Sequence, residues 1–122
     1  MTRILIVDDS PSVLRLLQFL FESEHYEIVT AADAAEGLEK VRQQVPDLIV
    51  TDSIMPGMDG FAFVRKLKED PSTSAVPVIM LTSEDPAIAE HADRLPKPDA
   101  LVRKSADFEP LLNQVREALH CH

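Results

Sequence analysis

Short apolar runs recur along the chain, and they limit the folds that it can adopt. They lie at 4–7, 28–29, 48–50, 76–81 (broken by one proline) and 101–102. A strand covered on both faces is apolar along its whole length, whereas a strand with one solvated face alternates apolar and polar residues. The runs therefore predict a parallel sheet that is buried on both sides.

The segments between these runs have apolar residues at helical spacing, which predicts amphipathic helices. The expected buried stripes are Val13, Leu16, Leu17, Leu20 and Phe21; Ala34, Leu38, Val41 and Val45; Phe61, Val64 and Leu67; and Leu111, Leu112, Val115 and Leu119. Strand and helix alternate five times, and such crossovers are right-handed. The order predicts an α/β fold with a doubly wound parallel sheet.

Local signals mark several helix boundaries. Ser10 is a natural N-cap with Pro11 at the first helical position. Asp33 and Glu36 have the spacing of a capping box, with Asp33 in the Ser/Thr role. Prolines interrupt 83–99, so we expect only a short helix there.

The size and charge of the chain restrict its function classes. Its 122 residues fit a single domain spanning 1–122. The net charge of −9 repels a polyanion, so we expect no direct binding of nucleic acid. No apolar run is long enough for a signal peptide or membrane span, and Cys121 is the sole cysteine. We therefore expect a cytoplasmic protein without an internal disulfide.

Polar side chains follow four of the five predicted strands. In parallel sheets of this type, ligands bind beyond the carboxyl ends of the strands, so these residues are expected to converge on one edge. They are Asp8 and Asp9 after the first run, Asp52 after the third, Thr82 after the fourth and Lys104 after the fifth.

The charges at this edge indicate a metal and a phosphate. Two carboxylates about 4 Å apart repel by roughly 1 to 4 kcal/mol, and Lys104 alone supplies too little positive charge for three of them. Mg²⁺ prefers a few carboxylate oxygens together with a substrate phosphate. Asp52 is the best nucleophile candidate, because aspartate is a covalent phosphoryl acceptor and phosphoryl transfer asks the protein mainly for alignment and charge neutralisation.

Four motifs in order resemble the response-regulator receiver family. They are IVDDS at 6–10, TDSIMPGMDG at 51–60, VIMLTS at 78–83 and LVRK at 101–104. Each motif is modest alone, but together they are specific and span essentially the whole chain. The resemblance implies a flavodoxin-like (βα)5 fold with strand order 2-1-3-4-5.

The resemblance also implies a role for each matching residue. Magnesium would be held by Asp8, Asp9 and Asp52 with the backbone carbonyl of Ile54. Asp52 would accept the phosphoryl group, and Thr82 and Lys104 would contact it. The chain would be a stand-alone signalling protein rather than an enzyme. A histidine kinase or phosphotransfer protein would phosphorylate it, and it would signal by contact with a downstream protein.

Three positions depart from the family pattern. Ser105 follows Lys104 where receivers usually have proline, and Leu101 replaces the usual aromatic residue. Lys97-Pro98 mimics the family's lysine-proline pair, but it precedes the last apolar run, so we favour Lys104 over Lys97. These changes leave the phosphoacceptor motifs intact and concern the surface through which relatives signal.

Two other functions compete with this interpretation. A pseudo-receiver, which keeps the fold without control by phosphorylation, is the main alternative, and the altered positions motivate it. A haloacid-dehalogenase-type phosphatase also uses a strand-end aspartate with magnesium. That class needs a second aspartate two residues later, where this chain has Ile54, and usually a cap insertion for which there is no room.

Overall fold

The computed structural model describes residues 2–53, 55, 57–82, 98–104 and 108–120. The strands are β1 (Arg3–Val7), β2 (Glu27–Ala31), β3 (Leu48–Asp52), β4 (Val78–Thr82) and β5 (Ala100–Arg103). The helices among these residues are α1 (Pro11–Ser23), α2 (Ala34–Gln43), α3 (Gly60–Glu69) and α4 (Glu109–His120). The short helix expected within 83–99 falls on residues outside this description.

The five strands form one parallel sheet in the order β2-β1-β3-β4-β5. The predicted doubly wound sheet and its strand order are therefore confirmed. Asp52 at the end of β3 is in register with Leu81, and Thr82 at the end of β4 is in register with Arg103. This alignment brings the carboxyl ends of the central strands to one edge.

Alternate residues of β1 face two separate hydrophobic clusters, one on each side of the sheet. Ile4 and Ile6 belong to the cluster that includes residues of α1 and α4, among them Phe21. Leu5 and Val7 belong to the cluster that includes residues of α2 and α3. Because both faces are covered, the central strands β1, β3 and β4 are buried along almost their whole length, as the apolar runs predict.

The starts of α1 and α2 follow the predicted capping signals with one difference. Val13 N donates to the Ser10 hydroxyl at 3.4 Å, and Glu36 N donates to Asp33 Oδ1 at 2.8 Å. The Glu36 carboxylate accepts from Ala32 N at 2.8 Å rather than from Asp33 N. The reciprocal bond of the box is thus shifted by one residue toward the amino terminus.

Two residues assigned to buried stripes are exposed. Leu16 is 44% exposed, because Leu17 and Phe21 occupy the face of α1 that contacts the sheet. Val45 is 45% exposed, because α2 ends at Gln43 and Gln44 is already extended. Among the described residues, no helix combines the length and the apolar character needed to cross a membrane.

Candidate metal centre

Three carboxylates meet at the carboxyl edge of the sheet. Asp8 and Asp9 follow the end of β1, and Asp52 is the last residue of β3. One carboxylate oxygen from each lies within 4.8 Å of the others. Asp8 and Asp52 are only 1% and 5% exposed, whereas Asp9 is open to solvent. The structure therefore brings together the three acids expected from the strand ends.

Lys104 supplies positive charge directly to this group. Its Nζ lies 3.0 Å from Asp52 Oδ1 and 3.7 Å from Asp8 Oδ2. Its backbone N–H donates to the Thr82 carbonyl at 2.7 Å, which ties the residue after β5 to the end of β4. Partial burial lowers the pKa of Lys104, but its bond to Asp52 and the nearby aspartate charges outweigh burial and raise it. Lys104 is therefore a cation at neutral pH.

Asp8 is a buried acid whose charge the described residues compensate only in part. Desolvation by burial raises the pKa of Asp8, and the charge of Asp52 adds to the increase. Two groups oppose it: Ser10 N, which donates to Asp8 Oδ1 at 2.9 Å, and Lys104. Asp8 Oδ2 is buried and has no hydrogen-bond partner among the described residues.

These features fit a hard divalent cation. A buried carboxylate oxygen without a hydrogen bond is costly unless another positive group compensates it. Mg²⁺ is held by one or a few carboxylates and keeps several waters, and exposed Asp9 leaves one side of the group open to them. The three carboxylates, one of which has a buried oxygen without a hydrogen bond, therefore form a donor set that is suited to magnesium.

The remaining predicted residues lie beside the acids or outside the described chain. Thr82 is buried at the end of β4, next in line after Leu81, the register partner of Asp52. Ile54, whose carbonyl is an expected ligand, is outside the described residues. Lys97 also lies outside them, so of the two candidate lysines only Lys104 has a described position.

The residues that hold the backbone of Asp52 are not indicated by the sequence patterns. The Thr51 hydroxyl donates to the Asp52 carbonyl at 3.1 Å, and Ser53 N donates to the Leu81 carbonyl at 3.0 Å. Gly60 N donates to the Ser53 carbonyl at 2.9 Å. The only sequence signal for this arrangement is the Asp59-Gly60 pair, which places a capping acid and a residue without a side chain at the start of α3.

The arrangement is that of an acidic metal and phosphate site at the carboxyl edge of a parallel sheet. A buried carboxylate at the end of a central parallel strand contacts a lysine and lies close to two further acids, and the neighbouring strand ends in the buried residue Thr82. Residues 4–116 match the family model described as the response regulator receiver domain. The chain belongs to this family, whose members act in two-component signal transduction.

Two curated relatives differ in how much of their length the chain covers. Response regulator PleD of Caulobacter vibrioides is 46% identical over 83 residues, which are 68% of this chain and 18% of PleD. Protein PilH of Pseudomonas aeruginosa is 34% identical over 119 residues, which are 98% of each protein. The chain thus spans less than a fifth of PleD and nearly all of PilH.

The solved structures of response regulator TrrA are similar to this fold. TrrA from Thermotoga maritima in complex with Mg²⁺-BeF has a TM-score of 0.86 at 32% identity, covering 98% of this chain and 100% of TrrA. The structure of histidine kinase ThkA in complex with TrrA matches with a TM-score of 0.84 at 30% identity, covering 98% and 99%.

Proposed function

We propose that this receiver domain accepts a phosphoryl group on Asp52 in a magnesium-dependent reaction. The observation that carries the proposal is the contact of 3.0 Å between Lys104 Nζ and Asp52 Oδ1, with Asp8 and Asp9 gathered beside them. A carboxylate held this way is a nucleophile whose product, an acyl phosphate, forms next to an existing cation. The donor is the phosphohistidine of a sensor histidine kinase or phosphotransfer protein.

The transfer requires only one bond exchange at phosphorus. An Asp52 oxygen forms the new O–P bond while the N–P bond of the phosphohistidine breaks, and the departing imidazole nitrogen keeps the electron pair. Lys104 compensates charge on the phosphoryl oxygens, and the Thr82 hydroxyl would donate to one of them. Both residues act mainly by alignment and charge neutralisation, which is what phosphoryl transfer demands.

Magnesium fits this site because Lys104 neutralises only part of the negative charge of the three aspartates. Asp8, Asp9 and Asp52, together with the carbonyl of Ile54, would hold the ion, and Asp8 Oδ2 is a buried oxygen without a hydrogen-bond partner among the described residues. When bound, Mg²⁺ neutralises charge on the carboxylates and the phosphoryl group. The Mg²⁺-BeF complex of TrrA supports this assignment by similarity.

The phosphorylated domain signals by protein contact. The added charge would lie next to Thr82 and Lys104, so the end of β4 and Lys104 would respond to it directly. The ThkA–TrrA complex supports a histidine kinase as the upstream partner. The downstream partner is a protein rather than nucleic acid or a membrane, in keeping with the net charge of −9.

A pseudo-receiver remains the second candidate because of one core residue. Leu101 of β5 is partly buried and packs against the cluster that contains Phe63 and Met80. An aliphatic residue in this place, where receivers usually carry an aromatic switch, favours a protein whose partner contact is independent of phosphorylation. The two candidates differ in whether Asp52 becomes labelled.

Intact-mass measurement after incubation with acetyl phosphate and magnesium distinguishes them. The wild type should gain one phosphoryl group, and Asp52→Asn should gain none. Asp47→Asn is a matched control, because Asp47 lies at the opposite edge of the sheet and should label like the wild type. Equal labelling of wild type and Asp52→Asn would remove Asp52 as the acceptor, and no labelling of either would favour the pseudo-receiver.

A further inference from the structure

Gly60, the first residue of α3, lies unusually close to the backbone of Asp52. A Cβ atom built on Gly60 would stand 2.3 Å from the Asp52 carbonyl oxygen and 2.9 Å from the Ser53 Cα. Real Cβ contacts stay above 3.0 Å, so any side chain would force a separation of about 0.7 Å. The two nearest atoms belong to the backbone, which cannot rotate away as a side chain can, and the third is Met80 Cε at 3.1 Å.

Hydrogen bonds on both sides hold this contact in place. Gly60 N donates to the Ser53 carbonyl at 2.9 Å, and Asp59 caps α3 by accepting from Ala62 N at 2.8 Å. On the strand side, the Thr51 hydroxyl donates to the same Asp52 carbonyl at 3.1 Å. The Asp52 peptide is therefore enclosed between β3 and the first turn of α3.

We propose that Gly60 is a positioning residue for Asp52, and that its missing side chain lets α3 press the Asp52 peptide into the place where the carboxylate meets Lys104, Asp8 and Asp9. The inference rests on the proposed function of Asp52 as acceptor. Asp52 bears the reacting oxygen on a short side chain, so a backbone shift moves that oxygen almost directly. Gly60 is not among the residues proposed to contact the metal or the phosphoryl group.

Gly37 offers a matched control elsewhere in the core. A Cβ on Gly37 would meet the side chains of Phe63 and Val7 at 3.1 Å, with no backbone atom among the three nearest contacts. Gly37→Ala therefore crowds the hydrophobic cluster that contains Phe63, Val7 and Met80, without touching the backbone of Asp52. The two variants separate a general loss of packing from a specific displacement of the site.

The test compares Gly60→Ala with Gly37→Ala by labelling with acetyl phosphate across a magnesium series. Gly60→Ala should lower the maximal labelling rate by about 100-fold, since a displacement near 1 Å has an effect of this size. It should also raise the magnesium concentration for half-maximal labelling by about tenfold. Gly37→Ala should leave both values within about twofold of the wild type, whatever its melting temperature.

Amide chemical shifts give a readout that does not depend on phosphorylation. Magnesium added to folded Gly60→Ala should shift the Ser53 amide only at higher concentration than in the wild type. A folded Gly60→Ala protein that labels and binds magnesium like the wild type would overturn the proposal. Equal losses in Gly60→Ala and Gly37→Ala would also overturn it, because the effect would then come from packing alone.

A second variant decides the case if Gly60→Ala does not fold. Thr51→Val keeps the shape of a buried residue and removes only the hydrogen bond to the Asp52 carbonyl. Slower labelling at unchanged magnesium-free melting temperature would support control through this carbonyl, and unchanged labelling would overturn it. Failure of the wild type to label at all would instead contradict the proposed function.

Discussion

The two edges of the sheet use aspartates differently. At the amino ends of the strands, Asp47 Oδ2 accepts from Arg3 N at 2.8 Å and Asp99 Oδ2 accepts from Val78 N at 2.7 Å. At the carboxyl ends, Asp8 and Asp52 share Lys104, and Asp8 Oδ2 is buried without a hydrogen bond among the described residues. The amino edge satisfies its acids, whereas the carboxyl edge leaves negative charge in excess.

This difference separates stability from function along the same strands. An acid that accepts a backbone N–H at a strand start contributes about 1 kcal/mol to folding. A buried acid with an unsatisfied oxygen opposes folding until a positive ligand arrives. We therefore expect substitutions at the amino edge to affect stability alone, and replacement of the buried acid Asp8 at the carboxyl edge to raise stability while it weakens the chemistry.

The largest effect is expected for the lysine at the carboxyl edge. Lys104→Ala should lower labelling by acetyl phosphate about 100-fold, because it removes a cation from the place where charge develops. Lys68 is the matched control, since its Nζ pairs with Asp99 at 3.2 Å at the other edge, and Lys68→Ala should label normally. Rates come from intact-mass time courses.

The same time courses test the choice between two lysines. Lys97→Ala should label like the wild type, because Lys104 is the residue that contacts Asp52. Normal labelling by Lys104→Ala together with a loss in Lys97→Ala would reverse the assignment.

The next effect is a gain in stability from removing one buried charge. Asp8→Asn should raise the free energy of unfolding in magnesium-free buffer by about 1–3 kcal/mol, the range for an unsatisfied buried polar group. Urea denaturation at neutral pH measures it. The added stability that magnesium confers should shrink in the variant, and a destabilised Asp8→Asn protein would contradict excess negative charge at this edge.

The pH dependence of stability should reveal the buried charge of Asp8. Because burial raises the pKa of Asp8 in the folded protein, its contribution to stability is complete below the unfolded pKa, near 3.8. That contribution is lost as the pH rises through the higher folded pKa. The stability difference between Asp8→Asn and wild type should therefore grow from acid to neutral pH. A constant difference in chelator-treated samples would argue against a raised pKa.

The smallest effect belongs to the amino edge. Asp99→Ala should lower the free energy of unfolding by about 1 kcal/mol, because Val78 N loses its acceptor and Lys68 loses its partner. Labelling and magnesium affinity should not change. A labelling defect in this variant, measured at a temperature where it is fully folded, would show that the two edges are not independent.

The carboxyl edge could be predicted from sequence because it depends on topology alone. Continuous apolar runs indicate buried parallel strands, and the residues that follow such strands must meet at one edge. The convergence of Asp8, Asp52 and Lys104 can therefore be predicted without any knowledge of distances. Register and twist decide only which oxygen comes closest.

The contacts that depend on tertiary packing could not be predicted. The close approach of Gly60 to Asp52 joins a helix start to a strand end across a loop, and no periodicity encodes that distance. Leu16 has the spacing of a buried residue but points outward, because only part of α1 faces the sheet. Periodicity indicates which face of a helix is apolar, and packing determines how much of it is covered.

A magnesium titration followed by amide chemical shifts tests the central claim most directly. The account predicts saturable shifts at Asp8, Asp9, Ser53 and Lys104, little change at Arg3, Asp47 and Val78, and loss of the response when Asp8 and Asp9 are both replaced by alanine. Absence of any saturable shift at the carboxyl edge, or an equal response in the double variant, would contradict it.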